Sequence, residues 1–153
     1  MTTLTNSISI DAPLTRVWAI LANLAELADY DPTVRAAQVS STAETGVGSS
    51  RKVTMRDGKH WFEERVTTFQ PSAALAFELT SCNFPISRLN HSYRFSEVAG
   101  NTTVIQEMAY TPKFGLLGKL MDAAMLRRSF STGVNAFLGG LKKHAEAQTP
   151  AST

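Results

Sequence analysis

The sequence predicts an α+β fold: a curved antiparallel sheet of about six or seven strands wrapped around one long C-terminal helix, with short helices after the first strand. Three observations carry this. The chain opens on a period-two segment that leads at once into an amphipathic helix, Ala12 to about Ala22. Further alternating segments follow, separated by turn residues. A long segment with apolar residues every three or four positions, from about Phe114 to Ala147, closes the chain. A bent sheet around such a helix leaves a space between them, and function is expected in that space.

Each element has its own signature. Leu4, Asn6, Ile8 and Ile10 alternate with Thr3, Thr5, Ser7 and Ser9, as in a half-buried strand. Asp11 is a natural N-cap for the first helix, and Pro13 suits its first turn. Val17, Ile20, Leu21 and Leu24 form the apolar stripe, with Trp18 beside it to pack the helix onto the sheet. Asn23 marks a break before a short turn through Leu27. Asp29-Tyr30-Asp31-Pro32 ends helical structure, because proline disfavours helix at the residue before it. Strands are expected over Val34–Thr42, Ser49–Arg56 and Lys59–Phe69, the last two joined at Asp57-Gly58, a hairpin signal. Leu75, Phe77 and Leu79 alternate in the next strand; Leu89, His91, Tyr93 and Phe95 alternate in the one after. Ala99-Gly100-Asn101 turns the chain into a last strand, Thr103–Thr111. Its inward face stays open: Val104, Gln106, Met108 and Tyr110 form one set, while Ile105 and Ala109 favour the other.

The closing helix carries Leu116, Leu120, Ala123, Phe130, Val134, Phe137 and Leu141 near one stripe, widened by Met121, Met125 and Leu126. Lys119, Arg128, Lys142 and Lys143 can face water. Gly133, Gly139 and Gly140 each weaken a helix by about 1 kcal/mol relative to alanine. A close approach to the sheet explains them, as does a kink or fraying.

Composition narrows the function classes. A chain of 153 residues suits one domain, expected over 1–147, with a flexible polar tail over 148–153. A net charge of +2 is too small for a nucleic-acid surface. The one cysteine, Cys82, forms no internal disulfide, and Met1–Ile10 lacks the pattern of a secretory signal; both point to the cytoplasm. No apolar run is long enough to span a bilayer. His60, His91 and His144 lack a short ligand spacing, so neither a metal nor another cofactor is expected. No glycine-rich phosphate loop precedes a helix, and no nucleophile elbow is present.

The run from Ile8 to Leu21, ISIDAPLTRVWAIL, resembles the opening of START-like (SRPBCC) helix-grip proteins. Tyr30-Asp31-Pro32 is similar to the place where that superfamily carries an aromatic before a proline. Glu64-Arg65-Val66, Pro71 and Leu75-Ala76-Phe77 resemble middle strands of its polyketide cyclase/dehydrase-like branch. The resemblance covers about Thr3 to His144. It implies a cavity shared by aromatases and cyclases, lipid carriers, hormone receptors, pollen allergens and partners of respiratory quinones, without a shared catalytic triad.

The Asp57-Gly58 hairpin indicates which side chains face that cavity. Its register sets Val53 opposite Phe62 and Arg51 opposite Glu64. The face with Arg51, Val53, Met55, Phe62, Glu64 and Val66 is the more apolar and is placed inward. Lys52 and Glu63 then form a surface pair, and Trp61, on the convex side, counts against the choice. Two readings of Glu64 stand side by side: a carboxyl raised by apolar burial into the range of proton transfer, or a partner of Arg51 that fixes a buried polar network. Arg51 also suits a ligand carboxylate or enolate. His91 is either a hydrogen-bonded core residue or a general acid or base. Tyr93 and Tyr110 offer hydroxyls to a carbonyl or pack as core aromatics.

Candidate ligand-binding residues are thus Arg51, Val53, Phe62, Glu64, Phe77, His91, Tyr93, Tyr110, Met121 and Met125, with Glu64 and His91 as catalytic candidates. The expected function is binding of a small, mostly hydrophobic molecule, aromatic or polyketide-like, between sheet and helix. The alternatives are a polyketide cyclase or dehydratase using an acid/base in the cavity, and an interaction module for a protein or a quinone-system partner. The oligomeric state is left open, a dimer included.

Overall fold

The structure is a computed structural model and describes residues 1–113 and 125–147. Seven strands form one antiparallel sheet: β1 (Thr2–Ile10), β2 (Val34–Val39), β3 (Ser50–Met55), β4 (Trp61–Gln70), β5 (Ala74–Cys82), β6 (Ile86–Val98) and β7 (Asn101–Pro112). Their order is β1-β7-β6-β5-β4-β3-β2, so β2 to β7 form a meander and β1 closes onto the last strand. Among the described residues three helices pack on it: α1 (Leu14–Ala22), α2 (Leu27–Tyr30) and α3 (Arg127–Ala147), with a 3₁₀ turn over Leu24–Glu26. The sheet grips α3 as the helix-grip expectation required. The Phe114–Ala124 part of the expected helix, with Met121, and the tail from Gln148 lie outside the described residues.

The period-two pattern of β1 follows its burial, with Ile10 closed off at the end. Register shifts in β4–β5, at Glu63/Glu64 and again at Val66/Thr68, interrupt its ladder. Bulges of this kind bend a strand, which suits a sheet that must wrap a helix.

The α1 helix starts two residues later than its sequence suggested, and Asp11 does not cap it. Pro13 holds the N-cap position with an extended backbone and offers no side-chain acceptor. Two acids from elsewhere serve the nearby backbone. A Glu97 carboxylate oxygen accepts from the Leu14 N–H at 2.7 Å, and Glu146 accepts from the Asp11 N–H at 2.9 Å. Asp11 lies two residues ahead of the N-cap, beyond the extended Pro13, so it does not hold the position from which a side chain caps the first turn. Trp18 packs as expected, edge-on to Phe69 at 5.1 Å and to Phe95 at 5.9 Å between ring centroids.

On α3 the buried residues are Val134, Phe137, Leu138, Leu141 and Ala145. The close approach suggested by its glycines occurs at one of them, and against the end of α2, not the sheet. A β-carbon on Gly140 would lie 1.9 Å from the Tyr30 carbonyl oxygen, whereas Gly133 and Gly139 face open space.

Candidate functional site

The β3–β4 hairpin forms the polar part of the inner wall. Arg51 pairs with Glu64 and Val53 with Phe62, the register expected from the turn. The strands stop at Met55 and Trp61, so the connection is longer than two residues, but the Met55 N–H still reaches the His60 carbonyl at 2.9 Å. Arg51 and Glu64 are 4% and 3% exposed, which settles the inward face. Trp61 stays partly exposed beneath the Lys52 ammonium, 4.9 Å from its ring centroid.

Burying two charges is costly unless each is well partnered. The Arg51 Nη2 donates to Glu64 Oε2 at 3.3 Å, and Nη1 donates to the Leu24 carbonyl at 3.1 Å. The guanidinium carbon lies 4.9 Å from the Phe77 ring centroid. His91, from β6, completes the cluster. Its Nε2 lies 3.1 Å from Glu64 Oε1 and 3.3 Å from Oε2, and its Nδ1 lies 3.1 Å from the Tyr93 hydroxyl. The imidazole stacks on Phe77 with centroids 4.8 Å apart.

Of the two readings of Glu64, this arrangement supports the partner of Arg51 in a buried polar network and not the raised carboxyl. Burial alone pushes the carboxyl up, but the Arg51 and His91 charges and hydrogen bonds outweigh it and bring it down to about 2. Glu64 is therefore an anion that accepts hydrogen bonds and has no proton to give near neutrality. A carboxylate has only acceptors, so His91 Nε2 must donate to it. In the neutral ring Nδ1 is then an acceptor, and the Tyr93 O–H donates to it. Burial pushes the Tyr93 phenol well above its ordinary range, with the Glu64 charge adding to the effect, so the hydroxyl keeps its proton.

Beside this chain lies a mostly apolar cavity of about 160 Å³. Of the residues expected to face it, Arg51, Phe62, Glu64, His91 and Tyr93 line it. Val53, Phe77, Tyr110 and Met125 are not on its lining; Met121 lies outside the described residues. Val53 and Phe77 are buried in the core; Phe77 lies under Arg51 and His91 and not against the hollow. Tyr110 is fully buried, with its ring 4.6 Å from that of Phe130. Met125 is 62% exposed and is not on the lining, because it precedes the turn of α3 that faces the sheet. The helix lines the cavity through Phe130, Gly133, Val134 and Phe137.

Three polar lining residues had not been singled out. Asp31 and Thr33 come from the loop after α2; the Thr33 N–H and hydroxyl both donate to Asp31 Oδ1, at 2.9 and 2.7 Å. Burial still raises the Asp31 carboxyl above its ordinary value. The third is Gln106, 1% exposed, which resolves the open face of the last strand: Thr102, Val104, Gln106 and Tyr110 are the buried set. The signal that would have found it is the β6–β7 turn. Val98 pairs with Asn101, so Ala99-Gly100 is a two-residue loop, and its register places Gln106 directly opposite Tyr93.

Solved structures share this architecture. A protein from Thermus thermophilus superposes with a TM-score of 0.81 at 18% identity, covering 97% of this chain and 99% of its own. A START superfamily protein from Mycobacterium smegmatis gives 0.80 at 9% identity, with coverage of 96% and 99%. BexL, a di-domain ARO/CYC protein of the BE-7585A biosynthetic pathway, gives 0.78 at 23% identity over 97% of this chain and 51% of BexL. At these identities the likeness is one of fold. No curated protein matches the sequence. The sequence does match a family model, polyketide cyclase / dehydrase and lipid transport, over residues 1–146, and the chain belongs to that family within the START-like helix-grip proteins.

Proposed function

We propose that this protein binds one small, mostly apolar molecule between α3 and the concave face of its sheet. The observation that supports this reading is the hollow of about 160 Å³ lined by Phe62, Met108, Phe130, Val134 and Phe137. An apolar cavity of about 150 Å³ takes up benzene, so the space suits a substituted aromatic ring. Family membership points the same way. Isothermal titration and native mass spectrometry with propylbenzene test it. Saturable one-to-one binding is expected, and it should vanish in Gly133→Leu, whose side chain enters the hollow from a position with nothing within 4 Å of its β-carbon. Binding that survives this variant in a folded protein places the molecule elsewhere and removes the reading.

A second reading is a cyclase or dehydratase, and the Glu64–His91–Tyr93 chain favours it. An anion fixing the imidazole and the imidazole accepting from a phenol is an arrangement for relaying a proton between His91 and a bound group through the Tyr93 hydroxyl, which gives up one proton as it takes the other. Glu64 would act here as a positioning residue. Turnover of a poly-β-keto substrate by His91→Ala and Glu64→Gln decides it; unchanged rates in both remove the chain from any chemistry.

A further inference from the structure

Gln106 is 1% exposed and lines the cavity. The two ends of its amide differ. Oε1 is closed off from the hollow and has no hydrogen-bond partner, while Nε2, unpartnered among the described residues, keeps what access the side chain has. Gln106 thus presents an N–H donor to a mostly apolar space. Its neighbours across the sheet do not take it up. Asn6 lies opposite on β1 and Tyr93 opposite on β6, and the Tyr93 hydroxyl is engaged with His91. A buried donor left unmade costs free energy, so a lone pair brought to it is held with more than its ordinary strength.

The charges on the wall limit what can carry that lone pair. Arg51 is matched by Glu64, both its Nη atoms are engaged, and its Nε is closed off. Asp31 is a further acid on the lining, and the partner of its carboxyl is the neutral Thr33. An anionic ligand would bring another negative charge to a wall with no free positive charge to meet it. A carbonyl oxygen offers lone pairs without that charge.

We propose that the bound molecule is a neutral carbonyl compound, of aryl ketone type, whose oxygen accepts from Gln106 Nε2. This rests on the cavity reading above and specifies the ligand class for that same site. Titration of wild-type protein and Gln106→Leu at neutral pH with four single-ring probes tests it: propiophenone, propylbenzene, para-propylphenol and para-propylbenzoate. Propiophenone differs from propylbenzene only by a carbonyl in place of a methylene. Gln106→Leu, close in shape but without the donor, should weaken propiophenone about tenfold relative to propylbenzene. The benzoate is expected to bind the wild-type protein most weakly. Circular dichroism and a melting curve confirm that the variant is folded; if Gln106→Leu does not fold, Gln106→Met serves in its place. A second measurement needs no variant. The carbonyl stretch of propiophenone bound to the wild-type protein should lie below its frequency in hexane, because an N–H donor weakens the C=O bond; an unshifted band overturns the proposal.

An affinity ratio of propiophenone to propylbenzene that is the same in wild type and variant also overturns it and leaves the cavity reading standing. So does para-propylphenol as the probe that Gln106→Leu weakens most, which makes the amide oxygen the end that meets the guest. Tightest binding of the benzoate overturns it by showing an unmatched positive charge. If none of the four binds, the cavity reading fails, and this proposal with it.

Discussion

The two halves of α3 meet the rest of the molecule in opposite ways. The C-terminal half is packed down at close range. Gly140 lies against the Tyr30 carbonyl, Leu141 and Ala145 are fully buried, and Lys142 Nζ donates to the Ser9 carbonyl at 2.9 Å. His144 Nε2 lies 2.9 Å from Glu26 Oε2, tying the last turns to the 3₁₀ turn. The preceding half, through Phe130, Gly133 and Val134, stands over a hollow with a buried ion pair in its wall. One helix thus both locks the fold and roofs the site. Because the anchored half fixes the height of the helix, the other half can stand off the sheet without collapsing onto it.

The largest effect expected is at the ion pair in the hollow half. Glu64→Leu leaves Arg51 buried and uncompensated and should cost about 4 kcal/mol in urea unfolding. The double change Arg51→Met with Glu64→Leu should recover most of that loss, because no lone charge remains. The pH dependence follows with its sign. The folded Glu64 carboxyl titrates near 2, below its ordinary 4.5, so between these values the unfolded chain binds more protons. The contribution is complete above about 4.5 and is lost as pH falls toward 2. The double variant should lack this component when the two stability-versus-pH curves are subtracted. A double variant as unstable as the single one would show that the hollow half depends on the pair for more than charge balance.

Gly140→Ala probes the locked half. Its β-carbon has no room against a backbone carbonyl, so the helix must lift, at about 3 kcal/mol measured by thermal or urea unfolding. Gly133→Ala is the smallest change and has the opposite sign. Its β-carbon meets nothing, so helix propensity should add about 1 kcal/mol of stability while the methyl narrows the hollow and weakens propylbenzene binding. The same substitution seven residues apart would then stabilise one half and destabilise the other. Equal effects at both positions would erase the contrast.

Much of this was legible in the sequence where geometry is local. The Asp57-Gly58 turn fixed a register, and that register alone brought Arg51 and Glu64 to the same inner face. What the turn could not convey was the consequence for Glu64. That depends on His91, twenty-seven residues away on β6, whose contact exists only once β5 intervenes between β4 and β6. Gln106 escaped because Ala99 adopts a positive φ of 52°, a conformation its residue type does not announce, so the two-residue loop was not recognised. Met125 was misplaced because an apolar stripe read over a long segment does not reveal where the helix first meets the sheet. Asp11 was misread as a cap because acids distant in sequence, Glu97 and Glu146, reach this corner through the fold.

The pairing of β1 with β7 has a further consequence, for how the chain assembles during synthesis. Thr2 finds its partner in Tyr110, so the earliest strand made waits for the last one, while every other strand pairs with a neighbour just made. A nascent chain stopped before Asn101 leaves two bare sticky borders, one on β1 and one on β6, until translation supplies the strand that covers both.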